Sequence, residues 1–201
     1  MSRLRNLDVL SRNPFPIAKG ANAMTADVTT QVNTAHHAFE LTTRDGLVIT
    51  VRPVVEEDEA ALSAFFDQVS DEDRRFRFFA AGEHVSHDQL DPLLHADHFR
   101  SESFVGFEAG ELVASGLLAC DGKLDTAEVA VSVRADYRGR GVGWAMLDLL
   151  AQEAERRGVR RVISIESRDN HAAIELEREK GFTPEAFEGD PTLVVLSKTY
   201  R

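Results

Sequence analysis

The chain has 201 residues, 43% of them hydrophobic and 28% charged, which suits one globular domain plus an extension and leaves length enough to bury a core. No apolar run approaches the roughly 20 residues that cross a bilayer, and Ser2–Arg12 mixes three arginines with polar residues, so neither a membrane span nor a signal peptide is expected. The net charge of −11 argues against a nucleic-acid partner, because neutralising phosphates needs a basic face. A single cysteine, Cys120, excludes an internal disulfide and fits a reducing compartment, so the expected location is the cytoplasm.

Residues 1–38 are rich in Ala, Thr and Asn, lack sustained periodicity, and carry Pro14 and Pro16 close together. They read as a flexible arm, with an ordered arm packed on a second copy of the chain, a homodimer, as the alternative. Residues 39–201 read as the folded domain. Asp45-Gly46 is a turn signal before the alternating, β-branched strand Leu47–Val51, which Pro53 ends. Glu57–Val69 follows as an amphipathic helix with Leu62, Phe65, Phe66 and Val69 on one face. A second helix is expected over Asp71–Phe79, with Ser70 as its cap and Asp73 three residues on. Ser86 caps a third, running to about His95.

Strands are then expected at Ser103–Glu108, Glu111–Cys120 and Thr126–Val133. Ala109-Gly110 and Asp121-Gly122 are turn signals between them, which makes an antiparallel meander. Val142–Arg157 is a long helix closed by Gly158, Arg161–Glu166 a short strand, Asn170–Lys180 a helix stopped by Gly181, and Leu193–Thr199 a last strand. Strands that first pair antiparallel and then alternate with helices give a mixed α/β (α+β) sheet.

The densest chemical signal is Arg138-Gly139-Arg140-Gly141-Val142-Gly143, which follows a strand and opens a helix. Glycines let a backbone turn sharply and approach a ligand, and the first N–H groups of a helix are unpaired at the positive end of its dipole. Such a cradle binds phosphate even in an acidic protein. A tight turn with solvated arginines is the bland alternative. A dinucleotide fold is a rival in which Glu166 would be the ribose-binding acid, but a meander before the glycines does not suit it.

These residues resemble the GNAT family of N-acetyltransferases, whose signature is Arg/Gln-x-x-Gly-x-Gly/Ala after the fourth strand. A second family segment is matched by Asn170, Ala173 and Gly181-Phe182. The resemblance spans roughly Leu47 to Tyr200, and residues 46–79 are similar to the catalytic domains of bacterial protein-lysine acetyltransferases. It implies a mostly antiparallel sheet of six or seven strands flanked by helices, splayed between strands 4 and 5. It also implies acetyl-CoA as co-substrate. The backbones of Val131 and Val133 would hold its pantetheine arm, and the amides of Arg138, Gly139, Arg140, Gly141, Val142 and Gly143 its pyrophosphate. Asn170 would touch the arm from the opposite wall, cap its helix, or do both.

A thioester acylates only a free amine, so a base near the acyl group must accept a proton. Glu128 stands among apolar neighbours on the strand that leads to the cradle, and in the family the base commonly occupies this strand. The alternative is a solvated strand residue. A backbone N–H near Val131 would meet the oxyanion. One departure stands out: where many members carry a Tyr as acid, this chain has Glu177, so the acid is unassigned. No metal is expected, since His84, His87, His95 and His98 lack a clear third ligand and read as solvated helix positions. Cys120 reads as a small core hydrophobe. Asp71-Glu72-Asp73 reads as a solvated helix start, or as a lure for a cationic lysine. The expected function is acetyl transfer to a primary amine, first a protein lysine. A small-molecule amine and a non-catalytic acetyl-CoA sensor are the alternatives.

Overall fold

The structure, a computed structural model, describes residues 38–78 and 84–200. The expected N-terminal arm therefore falls, but for its last residue, outside the described residues, as does Phe79 at the end of the second helix. Eight strands are seen: β1 (Phe39–Thr42), β2 (Val48–Pro53), β3 (Ser101–Glu108), β4 (Glu111–Cys120), β5 (Thr126–Val133), β6 (Arg161–Ser167), β7 (Thr183–Ala186) and β8 (Leu193–Thr199). Five helices join them: α1 (Glu59–Phe66), α2 (Asp71–Phe78), α3 (His87–Leu94), α4 (Val142–Arg156) and α5 (His171–Glu179). The strands form one sheet in the order β1-β2-β3-β4-β5-β6-β8-β7. Neighbours are antiparallel except for β5 and β6, which run parallel and are joined by α4 as a crossover.

This is the mixed, mostly antiparallel sheet that the sequence predicts, with eight strands rather than six or seven. The two additional strands, β1 and β7, have four residues each and lie mostly at the surface. Ladder bonds to β2 and β8 hold them; β7 carries no apolar alternation, and in β1 only Phe39 and Leu41 alternate, too short a run to stand out. The predicted helix over Glu57–Val69 divides. Glu56–Asp58 is a single 3-10 turn, α1 ends at Phe66, and Gln68 and Val69 close three-residue turns onto Phe65 and Phe66. Val69 is nonetheless buried, so the apolar face outlasts the helix.

Strand β4 sits in mid-sheet and is buried from Leu112 to Cys120 on both faces. Helix α4 covers one face through Met146, Leu147, Leu150 and Ala154, packed with Val113, Ala114 and Leu118. Helices α1 and α3 cover the other through Leu62, Phe65, Phe66, Leu90 and Leu93, against Leu112 and Leu117. Two helical layers thus grip the centre of the sheet and fix β5 beside it. Cys120 is buried here and its thiol is pushed up by desolvation, as a core position implies. Among the described residues, no helix is long and apolar enough to cross a membrane.

Candidate active site

The parallel pairing of β5 with β6 covers only Thr126–Glu128 against Arg161–Ile163, yet β5 continues to Val133 and β6 to Ser167. Beyond Glu128 and Ile163 the two strands part. Register decides which backbone groups this leaves open. Asp121 N–H donates to Thr126 and Arg134 N–H to Val113, so residues 126, 128, 130, 132 and 134 of this segment are turned towards β4. Val129, Val131 and Val133 therefore turn theirs the other way: the pairing at Ile163 takes up the Val129 N–H, and the groups of Val131 and Val133 face the gap. A cavity of about 310 Å³ occupies that gap, bounded by β5, β6, α2, the start of α4, and α5.

At one end of the cavity the chain turns from β5 into α4. Gly139 (φ +71°) and Gly141 (φ +77°) both hold left-handed conformations that side-chain-bearing residues rarely adopt. They differ in surroundings. A Cβ on Gly139 would meet nothing within 4 Å, whereas one on Gly141 would lie 3.1 Å from Thr43 Cβ and 3.3 Å from the Arg44 nitrogen. Gly141 thus lets the cradle pack against the β1–β2 turn, and Gly139 leaves space beside the cavity. Val142 buries its side chain in the core, so it has only backbone to present to a ligand. No acidic residue stands in the first turn of α4 to compete with an anion. The two arginines are held sideways: Arg140 stacks 4.5 Å above the Tyr137 ring, and Arg138 pairs with Asp73 and donates to Ser70 Oγ at 3.0 Å. The cradle's open amides and spare volume fit a diphosphate.

Glu128 lies where the strands begin to part and is only 6% exposed. Its side chain belongs with those of Ala130 and Ser132, on the face opposite Val129, Val131 and Val133, which pack towards α4. Helix α2 lies on Glu128's side and adds Phe76 and Arg77 to the cavity wall. Burial pulls the Arg77 guanidinium down to about 10 against the opposing attraction of Glu128, so it stays charged at neutral pH.

Residues 62–182 match the Acetyltransferase (GNAT) family. The chain belongs to that family. A Pseudomonas aeruginosa protein, Acetyltransferase PA5475, is 32% identical over 158 residues, covering 75% of this chain and 83% of that one. The GNAT domain of Streptomyces lividans PAT superposes with a TM-score of 0.74 at 28% identity, covering 81% of this chain and 97% of that chain. YncA of Salmonella typhimurium, whose structure contains acetyl-CoA, has the same fold with a TM-score of 0.59 at 20% identity, over 75% of this chain and 93% of its own. The protein is accordingly an acetyl-CoA-dependent N-acetyltransferase, and the dinucleotide-binding alternative falls away.

Within this GNAT domain the opposite wall of the cleft holds a group of polar side chains that sequence reading did not assemble. Asn170 caps α5, its Oδ1 accepting from Ala173 N–H at 3.3 Å, and its Nδ2 donates to Glu166 Oε2 at 3.0 Å. Ser164 Oγ lies 2.8 Å from Glu177 Oε1 and 3.3 Å from Glu166 Oε1. Burial raises both carboxyls above the ordinary carboxylate range, and the charge of Glu166 raises Glu177 further. Asn170 therefore caps its helix and lines the cavity at once. Glu166 and Glu177 were each visible in the sequence, one as a dinucleotide mimic and the other as a missing Tyr. Only the approach of α5 to β6 joins them.

The histidines stand apart from the cleft, and their settings differ from four solvated helix positions. His87 is the first residue of α3, His95 its cap, and His84 and His98 lie off helices. Each has a carboxylate beside it: Asp67 for His84, Glu59 for His87, Asp91 for His95 and Glu102 for His98.

Proposed function

We propose that this GNAT domain acetylates protein lysines, with Glu128 as general base and the β5–β6 cleft as the acetyl-CoA site. The observation that carries the reading is convergence. Glu128, the inward-facing backbone of Val131 and Val133, and Arg138, Gly139, Gly141 and Gly143 of the cradle border one continuous cavity. In this reading the amides of Arg138, Gly139, Arg140, Gly141, Val142 and Gly143 take the diphosphate. The Val131 and Val133 backbones take the amide-bearing arm, and Asn170 meets that arm from α5. Bound there, acetyl-CoA supplies a thioester carbonyl near the point where the strands part. Glu128 accepts the proton of the attacking amine, and the Val131 N–H receives the negative charge that builds on the carbonyl oxygen. Arg77 faces Glu128 from α2 as an opposite charge, and in the cleft it disfavours an ammonium relative to the free amine that attacks.

The lysine preference rests on the likeness to the Streptomyces PAT domain and on the acidic opening of α2, where Asp71 stands almost wholly in solvent. A cytoplasmic location follows from the same reading. Arg77 favours a second: a guanidinium in the cavity wall would suit a small amine that also carries an acid group. Incubation of the protein with isotope-labelled acetyl-CoA, a protein mixture and a panel of amino acids and polyamines, read by mass spectrometry, separates the two. Label on protein lysines is the expected result. Label confined to small amines would replace the acceptor, and no label beside demonstrable acetyl-CoA binding would leave a sensor.

A further inference from the structure

When the amine has attacked and the carbon–sulfur bond breaks, the electron pair goes to sulfur, and a thiolate leaves more readily if a proton meets it. Glu128 is placed to take a proton from the amine and stands on the α2 face of β5. A donor to the sulfur has to come from the other wall of the cleft. Val162 packs into the core with α4, so alternation puts Ser164 and Glu166 on that same side, where α5 brings Glu177.

We propose that Glu166 and Glu177 together hold one proton in the wall of the cleft, and that Glu177 delivers it to the departing sulfur. The proposal rests on the acetyl-transfer reading above and assigns the acid that the reading leaves vacant. Three observations support it. Both side chains line the cavity, and Glu177 is 5% exposed. No hydrogen-bond donor among the described residues reaches its buried Oε2. The Ser164 hydroxyl lies against one oxygen of each carboxyl, a close approach that two anions tolerate poorly but an acid and its conjugate base accept.

The donors around the pair are too few for two charges. The Ser164 hydroxyl has one proton for two neighbouring oxygens, and Asn170 serves only Glu166 Oε2, its own oxygen being fixed by the helix cap. Cations on the surrounding elements are engaged elsewhere. Lys180 on α5 bonds Asp148 of α4, Arg44 of the β1–β2 turn bonds Glu179, Arg138 bonds Asp73, and Arg77 faces Glu128. On the flanking strands Lys198 lies over the Tyr200 ring and Arg161 pairs with Glu185. Desolvation without a counter-ion leaves the shared proton as the means of neutralising the second carboxyl.

The step balances. The amine nitrogen bonds to the acyl carbon and gives its proton to Glu128, the carbon–sulfur bond breaks, and the sulfur receives the proton of Glu177; Glu128 then releases its proton to water. The pair, now doubly ionised, recovers a proton from water once the products leave.

The test uses the full chain with acetyl-CoA and poly-L-lysine, following release of free thiol, beside infrared difference spectra of the protein alone. At neutral pH the native protein should show the C=O stretch of a protonated carboxyl that Glu177→Gln removes. That variant should lose about 100-fold in kcat, as for loss of a positioned acid, with the KM for acetyl-CoA within about twofold of native. Glu166→Gln removes the like charge, so the alkaline limb of the native pH profile should move to lower pH. Absence of the infrared band from the native protein, or an undiminished kcat in Glu177→Gln, overturns the proposal. Failure of acetyl-CoA to bind at all would instead overturn the reading beneath it.

Discussion

Glu128→Gln is expected to lower turnover at neutral pH about 100-fold or more, the usual consequence of removing a positioned base, while acetyl-CoA affinity barely changes. Gln keeps the shape and most of the hydrogen bonding of the carboxylate but has no basic oxygen. The sign of the pH dependence follows. As the pH rises towards the acceptor amine's own pKa, about 10.4 for a lysine, solvent supplies more of the free amine and the variant's deficit narrows. Steady-state kinetics across that range, with acetyl-CoA affinity measured separately, make the check. A variant as active as the native protein would move deprotonation to water or to another group. A variant that no longer binds acetyl-CoA would make Glu128 a structural residue.

Gly141→Val is expected to cost stability and also to abolish the rise in melting temperature that acetyl-CoA confers by binding the folded state. A bulky residue here does not fill the phosphate's space, as an entirely ligand-facing glycine would imply. Its Cβ runs into Thr43 and the Arg44 backbone, at 3.1 and 3.3 Å, in a left-handed conformation that valine resists. Backbone strain of about 1–3 kcal/mol and overpacking of about 1–3 kcal/mol together predict a loss of roughly 2–6 kcal/mol. Relief of the clash would displace the cradle from the β1–β2 turn and misdirect its amides. Gly139→Ala shares the conformational strain but meets no atom within 4 Å, so it should cost less. Denaturant titration measures the first effect, and thermal unfolding with and without acetyl-CoA the second. An unaltered acetyl-CoA shift in Gly141→Val would remove the cradle from the binding site.

The sequence was most informative where one physical signal dominated. The β4 and β5 boundaries follow from apolar runs set off by Ala109-Gly110 and Asp121-Gly122, and they appear in the structure as expected. Helix α4 begins at Val142 because Gly141 precedes it in a left-handed turn, and both glycines are legible as letters. The outer strands β1 and β7 were not legible, because a strand of four residues is held chiefly by its neighbour's backbone, and the single alternation of Phe39 and Leu41 in β1 is too short to mark one. Glu128 could be selected because it interrupts an apolar strand. The Glu166–Glu177 pair could not, since the two residues lie on different elements and their chemistry comes from proximity. Arg77 was hidden in the same way: in the chain it is one charge among several on α2, and only the packing of that helix on β5 brings it to the cleft.

A sheet that opens between its fifth and sixth strands has an edge in its middle. Unpaired edges ordinarily invite strands from other chains, and proteins protect them with charge or cover. Here the exposed ladder groups of Val131 and Val133 lie at the bottom of a recess whose walls carry Arg77, Glu128, Arg138 and Glu166. A foreign β-strand, flanked by side chains at every second position, would have to bury those charges to enter. A slender chain with amides and no branches would not, and it could complete the ladder as a strand does in β-augmentation. The same cleft that leaves the sheet unfinished therefore admits a thin, amide-bearing molecule and excludes polypeptide.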